Sequence, residues 1–235
     1  MNKFLAHHGG ISRRQADRSI LEGRVQVNGQ EVRELGFHVD PVADEVSLDG
    51  IKVLSKKNRL YLLLNKPAGY LVTSSDPRGR PTVYELLGEV KDRVFPVGRL
   101  DRDTEGLLLF TNDGELAHRL AHPRYGLTKR YWALVSGAVN DRKIKKLLKG
   151  IRLEDGIARA TDVKVLACES GHSEICLELT TGKKRQVRRM CMAIGHPVVR
   201  LRRTAFAGLS DDGLPCGQWR HLSSVEVHRL KSSKG

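Results

Sequence analysis

The chain has 235 residues, with 41 Lys or Arg against 27 Asp or Glu, a formal net charge of +14 at pH 7. That surplus points to a polyanionic partner, nucleic acid ahead of an anionic membrane surface, while 40% hydrophobic content supports a core. Aromatic residues make up only 5%, which excludes a broad base-stacking platform; no apolar run approaches a membrane span; and Cys168, Cys176, Cys191 and Cys216 form no CxxC pair to support a zinc ribbon or redox motif.

Residues 1–47 read as a small separate module. Met1 to His8 hold no apolar core of signal-peptide length, so a cytoplasmic location with free thiols is expected. Ser12-Arg13-Arg14-Gln15 has the form of a capping box and predicts a helix through Ala16, Ile20 and Leu21 that stops at Gly23. Val25-Gln26-Val27-Asn28-Gly29-Gln30-Glu31-Val32 predicts a strand, an Asn-Gly turn and a return strand. Arg13, Arg14 and Arg18 fall on the polar side of the helix. Lys3-Phe4-Leu5-Ala6, Ser12-Arg13-Arg14-Gln15-Ala16, Gly23-Arg24-Val25 and Val27-Asn28-Gly29, in this order, resemble the S4 RNA-binding domain. The resemblance implies RNA contact for those three arginines.

Residues 48–59, with Lys56-Lys57-Asn58-Arg59, read as a polar linker, and residues 60–235 as the larger domain. Residues 60–64 predict a continuous apolar strand, turned sharply by Asn65-Lys66-Pro67-Ala68-Gly69-Tyr70. Residues 77–83 form a basic loop. Residues 94–97 read as a buried strand end and 107–111 as a second strand, with a short charged loop between them that carries Asp101 and Asp103. A carboxylate between two core strands is costly unless paired, so it is either a structural ion pair or a working group.

Asn112 or Asp113 is placed to cap a helix with Glu115, Leu116, Leu120 and Ala121, ended by Pro123. His118 and His122 have a spacing that metals use, but no third ligand is evident and no metal is expected. Residues 130–135 predict a strand with Tyr131 and Ala133 on one face, residues 175–179 another, and residues 187–194 a helix stopped at Gly195-His196-Pro197. From Leu179 to Ser210 there is no acidic residue, while Lys183, Lys184, Arg185, Arg188, Arg189, Arg200, Arg202 and Arg203 fall inside that span. It reads as a folded, phosphate-facing surface. Strands without regularly alternating helices predict an α+β fold with a mostly antiparallel mixed sheet flanked by helices.

Gly98-Arg99-Leu100-Asp101, then Thr104, Gly106 and Leu107-Leu108-Leu109-Phe110-Thr111-Asn112-Asp113-Gly114, resembles the catalytic motif of the RNA pseudouridine synthases, most closely the RsuA/RluB-like ribosomal RNA enzymes. Lys129-Arg130-Tyr131 and Gly182-Lys183-Lys184-Arg185-Gln186-Val187-Arg188-Arg189-Met190 are similar to two further family motifs. The resemblance implies a pseudouridine synthase domain behind an S4-like one. It gives Asp101 the catalytic role, by attack at C1′ or by removal of a sugar proton. Tyr131 then lies against the target base, Arg188 is the counter-ion of Asp101, and Leu201 packs near the base. Arg99 is a candidate to fill the stack that the uridine vacates, and Lys66 a substrate contact. Lys183, Lys184, Arg185 and Arg189 are expected on RNA phosphates. Asp103 is the rival acid, and the motif fixes none there. The implied enzyme needs no cofactor. Its expected partner is ribosomal RNA or a ribosomal subunit precursor, with no membrane, and it is expected to act as a monomer. The basic loop at Arg80-Pro81-Thr82-Val83 leans toward large-subunit (23S) RNA. A small-subunit (16S) enzyme of the RsuA type and a non-catalytic assembly protein are the alternatives.

Overall fold

The computed structural model describes residues 1–54, 58–88, 90, 92–211 and 213–232. Lys56 and Lys57 of the expected linker lie outside these. Contacts divide the chain into two compact units. The first is Met1–Leu60 with Val90–Val94 and Asn112–Gly114; the second is Tyr61–Glu89 with Phe95–Thr111 and Glu115–Gly235.

The first unit begins with helices α1 (Asn2–His8) and α2 (Arg13–Leu21). The capping box forms: Ser12 Oγ accepts from the Gln15 N–H at 3.1 Å, and Gln15 Oε1 from the Ser12 N–H at 2.8 Å. Strands β1 (Val25–Val27), β2 (Gln30–Glu31), β3 (Val46–Leu48) and β4 (Ile51–Lys52) make one sheet in the order β2-β1-β3-β4. Asn28 and Gly29, with φ of 51° and 79°, make the expected hairpin turn. Leu5, Ala16, Ile20 and Val25 are completely buried at the centre of this unit.

Residues 48–52, expected in the linker, belong to this sheet. Asp49 and Gly50, with φ of 53° and 75°, turn β3 into β4, and Arg24 grips the Asp49 carboxylate at 2.6 and 2.7 Å. The signal was an Asp-Gly pair between Leu48 and Ile51, hidden by the polarity around it. Of the two residues expected to cap the next helix, Asn112 has its side chain engaged elsewhere. Its amide accepts from the Leu60 N–H and donates to the Asn58 carbonyl, both at 2.9 Å. Asp113 forms an ion pair with Arg59.

The second unit holds β5 (Tyr61–Lys66), β6 (Phe95–Pro96), β7 (Thr104–Thr111), α3 (Gly114–Ala121), β8 (Lys129–Ser136), α4 (Asp141–Lys149), β9 (Ile151–Leu153), β10 (Gly156–Ala158), β11 (Asp162–Glu169), β12 (His172–Leu179), α5 (Gln186–Ala193), β13 (Val198–Phe206), β14 (Leu209–Ser210), β15 (Trp219–His221) and α6 (Ser224–Ser232). The main sheet runs β11-β12-β8-β13-β7-β5-β15, with β6 on β7 and β14 on β13; β9 and β10 form a separate hairpin. Its pairings are antiparallel apart from β13 with β7, so the sheet is mixed and mostly antiparallel, as expected of the α+β class. Strands β5 and β7 are buried on both faces, which is why 62–64 and 107–110 read as continuous apolar runs. On β8, Lys129, Tyr131, Ala133 and Val135 alternate inward.

Two local features shape the catalytic-motif region. The chain does not turn at Asn65: β5 continues through Lys66, and the Asn65 amide donates to the Leu214 carbonyl at 2.8 Å. Gly106 has φ of +100°, and a Cβ there would meet the Arg203 carbonyl oxygen at 2.2 Å. The parallel approach of β13 to β7 therefore requires glycine at this position.

Candidate active site

The loop between β6 and β7 carries Asp101 and Asp103, and it is fastened from below. Lys66 is completely buried at the end of β5. Its ammonium donates to the carbonyls of Pro67 (2.8 Å), Thr104 (2.8 Å) and Arg102 (3.3 Å). The Gly69 N–H donates to the Arg102 carbonyl at 2.7 Å, and Arg102 Nε returns a bond to the Gly69 carbonyl at 3.1 Å. Lys66 is thus no substrate contact. Its head group is consumed by backbone carbonyls on either side of Asp103, and it acts by holding the loop.

Burial pushes the Lys66 pKa down from 10.5 to about 8, against the nearby charges of Asp103, Glu105 and Asp101. Between these two values the unfolded chain holds a proton that the folded one has released, so this group's contribution to stability rises with pH across that window. Wild type should therefore gain stability relative to Lys66→Met as pH rises from 8 toward 10.5, with a constant difference below that window. Guanidinium unfolding at stepped pH checks this; a difference that does not change with pH would contradict it.

Asp101 is about a third exposed, at 35% of its side chain, and the guanidinium that reaches it is that of Arg185, at 4.0 Å. Asp103 is held far more tightly. It accepts from Arg185 at 3.1 and 3.3 Å and pairs with Arg188 at 3.2 Å. Arg188 also donates to the Asp103 backbone carbonyl at 2.8 Å and to the Val198 carbonyl at 3.3 Å. Partial burial works to raise the Asp103 pKa, but the Arg185 hydrogen bonds and the charges of Arg188 and Arg185 outweigh it and hold the carboxyl below its usual range. The expected Arg188–Asp101 pair is therefore corrected. Arg188 lies in the first turn of α5, mostly buried, and its fork is spent on Asp103 and backbone carbonyls. Arg185 sits at the start of α5 with φ of 49°, an uncommon left-handed conformation for a non-glycine residue.

Tyr131 and Leu201 stand on neighbouring strands. Leu201 pairs with Ala133 on β8 and with Thr104 on β7, and Tyr131 pairs with Arg203. Directly paired residues project from the same face, so Tyr131, Leu201 and Arg203 share one face beside the strand that begins at Thr104, three residues after Asp101. Tyr131 is 9% exposed and Leu201 4%. Sequence reasoning undervalued Asp103; the available signal was its two-residue spacing from Asp101 on one short loop.

A family model described as RNA pseudouridylate synthase matches residues 60–193, and an S4 domain model matches residues 2–46. The chain belongs to the RNA pseudouridylate synthase family. It is 42% identical to the ribosomal large subunit pseudouridine synthase B of Bacillus subtilis, over 99% of this chain and 95% of that one. It is 45% identical to an uncharacterized RNA pseudouridine synthase of Aquifex aeolicus, over 100% and 94%. A crystal structure of a pseudouridylate synthase superposes with a TM-score of 0.70 at 29% identity, covering 97% of this chain and 98% of that one.

In this pseudouridine synthase the acid-free segment does not form a one-sign surface. Arg185 and Arg188 pair with Asp103. Arg189 holds Asp155 through two bonds of 2.8 and 3.0 Å, and Lys183 donates to the Asp155 and Ile157 carbonyls at 2.5 and 3.2 Å. Arg200 grips Glu105 at 2.9 and 3.0 Å, and Arg202 pairs with Asp211. Arg203 is buried, with Nε on the Leu107 carbonyl and its guanidinium 4.9 Å above the Phe206 ring. Lys183, Arg185 and Arg189, expected on phosphates, are thus tied to carboxylates or carbonyls; Lys184 is exposed. Acids distant in sequence supply the partners, which a one-dimensional charge run does not reveal.

Arg13, Arg14 and Arg18 of the S4 module are exposed on α2, and Arg99 is exposed on the catalytic loop. Replacing the three S4 arginines with Gln should weaken RNA binding roughly tenfold or more while leaving the rate at saturating RNA within a factor of about two, since each phosphate contact contributes electrostatic affinity. Filter binding with single-turnover kinetics checks this; unchanged affinity would remove the module from RNA contact. His118 and His122 lie with ring centroids 5.4 Å apart, and among the described residues no group of three or more His, Cys, Asp or Glu is arranged to hold a metal. Among them, too, no helix is long and apolar enough to cross a membrane.

Proposed function

We propose that this enzyme isomerises a specific uridine to pseudouridine in large-subunit (23S) ribosomal RNA. The observation that carries this reading is end-to-end similarity, at 42% identity, to a relative named for that substrate. The geometry supports the chemistry. In the reaction the N1–C1′ bond breaks, the base turns in place, C5 bonds to C1′, the C5 proton leaves and N1 is protonated. The product is an isomer, so no atom and no electron is supplied from outside. A partly exposed carboxylate on a rigidly fastened loop is placed to attack C1′ or to take a sugar proton, and Asp101 is that group. The target nucleotide must leave its stack, at a cost of a few kcal/mol. Arg99, exposed beside Asp101, is assigned to the space it leaves. Tyr131 and Leu201 are assigned to the base, and Arg185 to orienting the Asp101 carboxylate.

The loop at residues 71–83 is assigned to target selection. It is preformed: Arg80 holds Asp76 at 2.6 and 3.0 Å, keeping that carboxyl down at about 2, while Arg78 is exposed. The reaction provides its own assay, because tritium at uridine C5 is released to water as C5 becomes the glycosidic carbon. Large-subunit transcripts should lose label and small-subunit transcripts should not. Release from small-subunit RNA alone would reassign the target, and release from neither would overturn the reading.

A further inference from the structure

Most cations of residues 183–203 are engaged inside the protein, so much of the +14 surplus is displayed elsewhere in the fold. In the second unit its densest display is α4, Asp-Arg-Lys-Ile-Lys-Lys-Leu-Leu-Lys. Arg142, Lys145, Lys146 and Lys149 are all exposed. At 3.6 residues per turn they fall within a sector of about 100°, over a length of about 10 Å. Leu147, completely buried, points the opposite way. None of the four side chains makes an ion pair or a hydrogen bond with another described residue. Asp141, in the first turn, is the helix's own acid.

A stripe of this kind opposes helix stability. Arg142–Lys146 and Lys145–Lys149 are like-charge pairs at i,i+4, and each is unfavourable to the helix. The helix is nonetheless firmly placed. Asn140 caps its start by accepting from the Lys143 N–H, the Ala160 N–H donates to the Leu147 carbonyl at 3.0 Å, and Lys143 donates to the Ile194 carbonyl at the end of α5. The hairpin that follows, β9–β10, is locked at Asp155 to α5 by Arg189 and to the segment before α5 by Lys183. It presents Arg152 outward, and Arg159 beyond it is exposed. Helix α5 in turn starts at Arg185, which holds the catalytic loop.

We propose that the Arg142–Lys145–Lys146–Lys149 stripe of α4 is a second RNA-backbone surface, separate from the S4 module, that grips phosphates flanking the target nucleotide. The proposal rests on RNA being the substrate. A rigid helix with unpaired cations on one face, braced against the element that organises the active site, suits a polyanion of fixed geometry. It lacks the apolar centre that a protein partner would require.

The test is equilibrium binding of the full-length protein to a large-subunit ribosomal RNA transcript across a KCl series. It compares wild type with the combined variant Arg142→Gln, Lys145→Gln, Lys146→Gln and Lys149→Gln. Each lost phosphate contact should flatten log K against log salt by about 0.7–0.9, so a slope shallower by roughly 2 to 3 units is expected. The thermal midpoint should be equal or higher, because the repulsion is relieved. A charge-keeping variant with Arg at all four positions should retain the wild-type slope. A slope changed by less than about 0.5, or a deficit toward polyglutamate but not toward RNA, would overturn the proposal. Failure of wild type itself to bind the transcript in a salt-dependent way would instead overturn the functional reading beneath it.

Discussion

Asp101→Asn should abolish isomerisation while leaving folding and RNA binding close to wild type. The substitution is nearly isosteric, so it opens no cavity, and the ion pair it weakens is long, at 4.0 Å, and partly exposed. Such a pair contributes at most about 1 kcal/mol. The amide lacks the charge for either route open to the carboxylate. Single-turnover kinetics at saturating RNA reads the chemical step. More than about a tenth of the wild-type rate, a barrier change under roughly 1.4 kcal/mol, would move the reactive group away from Asp101.

Asp103→Asn should slow the same step by about tenfold or more, although this side chain is assigned no contact with the reacting atoms. Asp103 is the carboxylate that gathers Arg185 and Arg188, and through Arg185 it shares a cation with Asp101. Its loss leaves Arg188 mostly buried with its charge unmatched and frees Arg185 from the loop. Removing one partner of a buried or half-buried pair costs more than the pair itself contributes. Arg188→Ala should fall on the same step, and the double variant should be less than additive because both changes break one clamp. The rate at saturating RNA should drop more than affinity does. A rate within a factor of about two of wild type would make the clamp a passive surface pair.

Local signals were legible in the sequence wherever one segment suffices to specify the structure. Ser12 with Gln15, Asn28-Gly29 and the alternation of Tyr131 with Ala133 all form as their patterns predict, because caps, turns and strand faces are decided within a few residues. Asp49-Gly50 carried the same kind of signal and was obscured by its polar surroundings. Partners set by topology were not legible. Lys66 meets Arg102 and Thr104 only because β5 and β7 pair, and Arg189 meets Asp155 only because the β9–β10 hairpin folds onto α5. The acid-free run was misread for that reason, since its carboxylates lie outside it, from 9 to 95 residues away. The motif residues Asp101 and Tyr131 were found by family likeness; their individual chemistry follows only from where the strands carry them.

Pseudouridine mapping of ribosomal RNA from cells lacking this protein, complemented with wild type or with Asp101→Asn, tests the central claim most directly. The account predicts one large-subunit uridine that is unmodified without the protein, restored to pseudouridine by wild type, and left as uridine by Asp101→Asn. An unchanged pseudouridine map, or full restoration by Asp101→Asn, would contradict it.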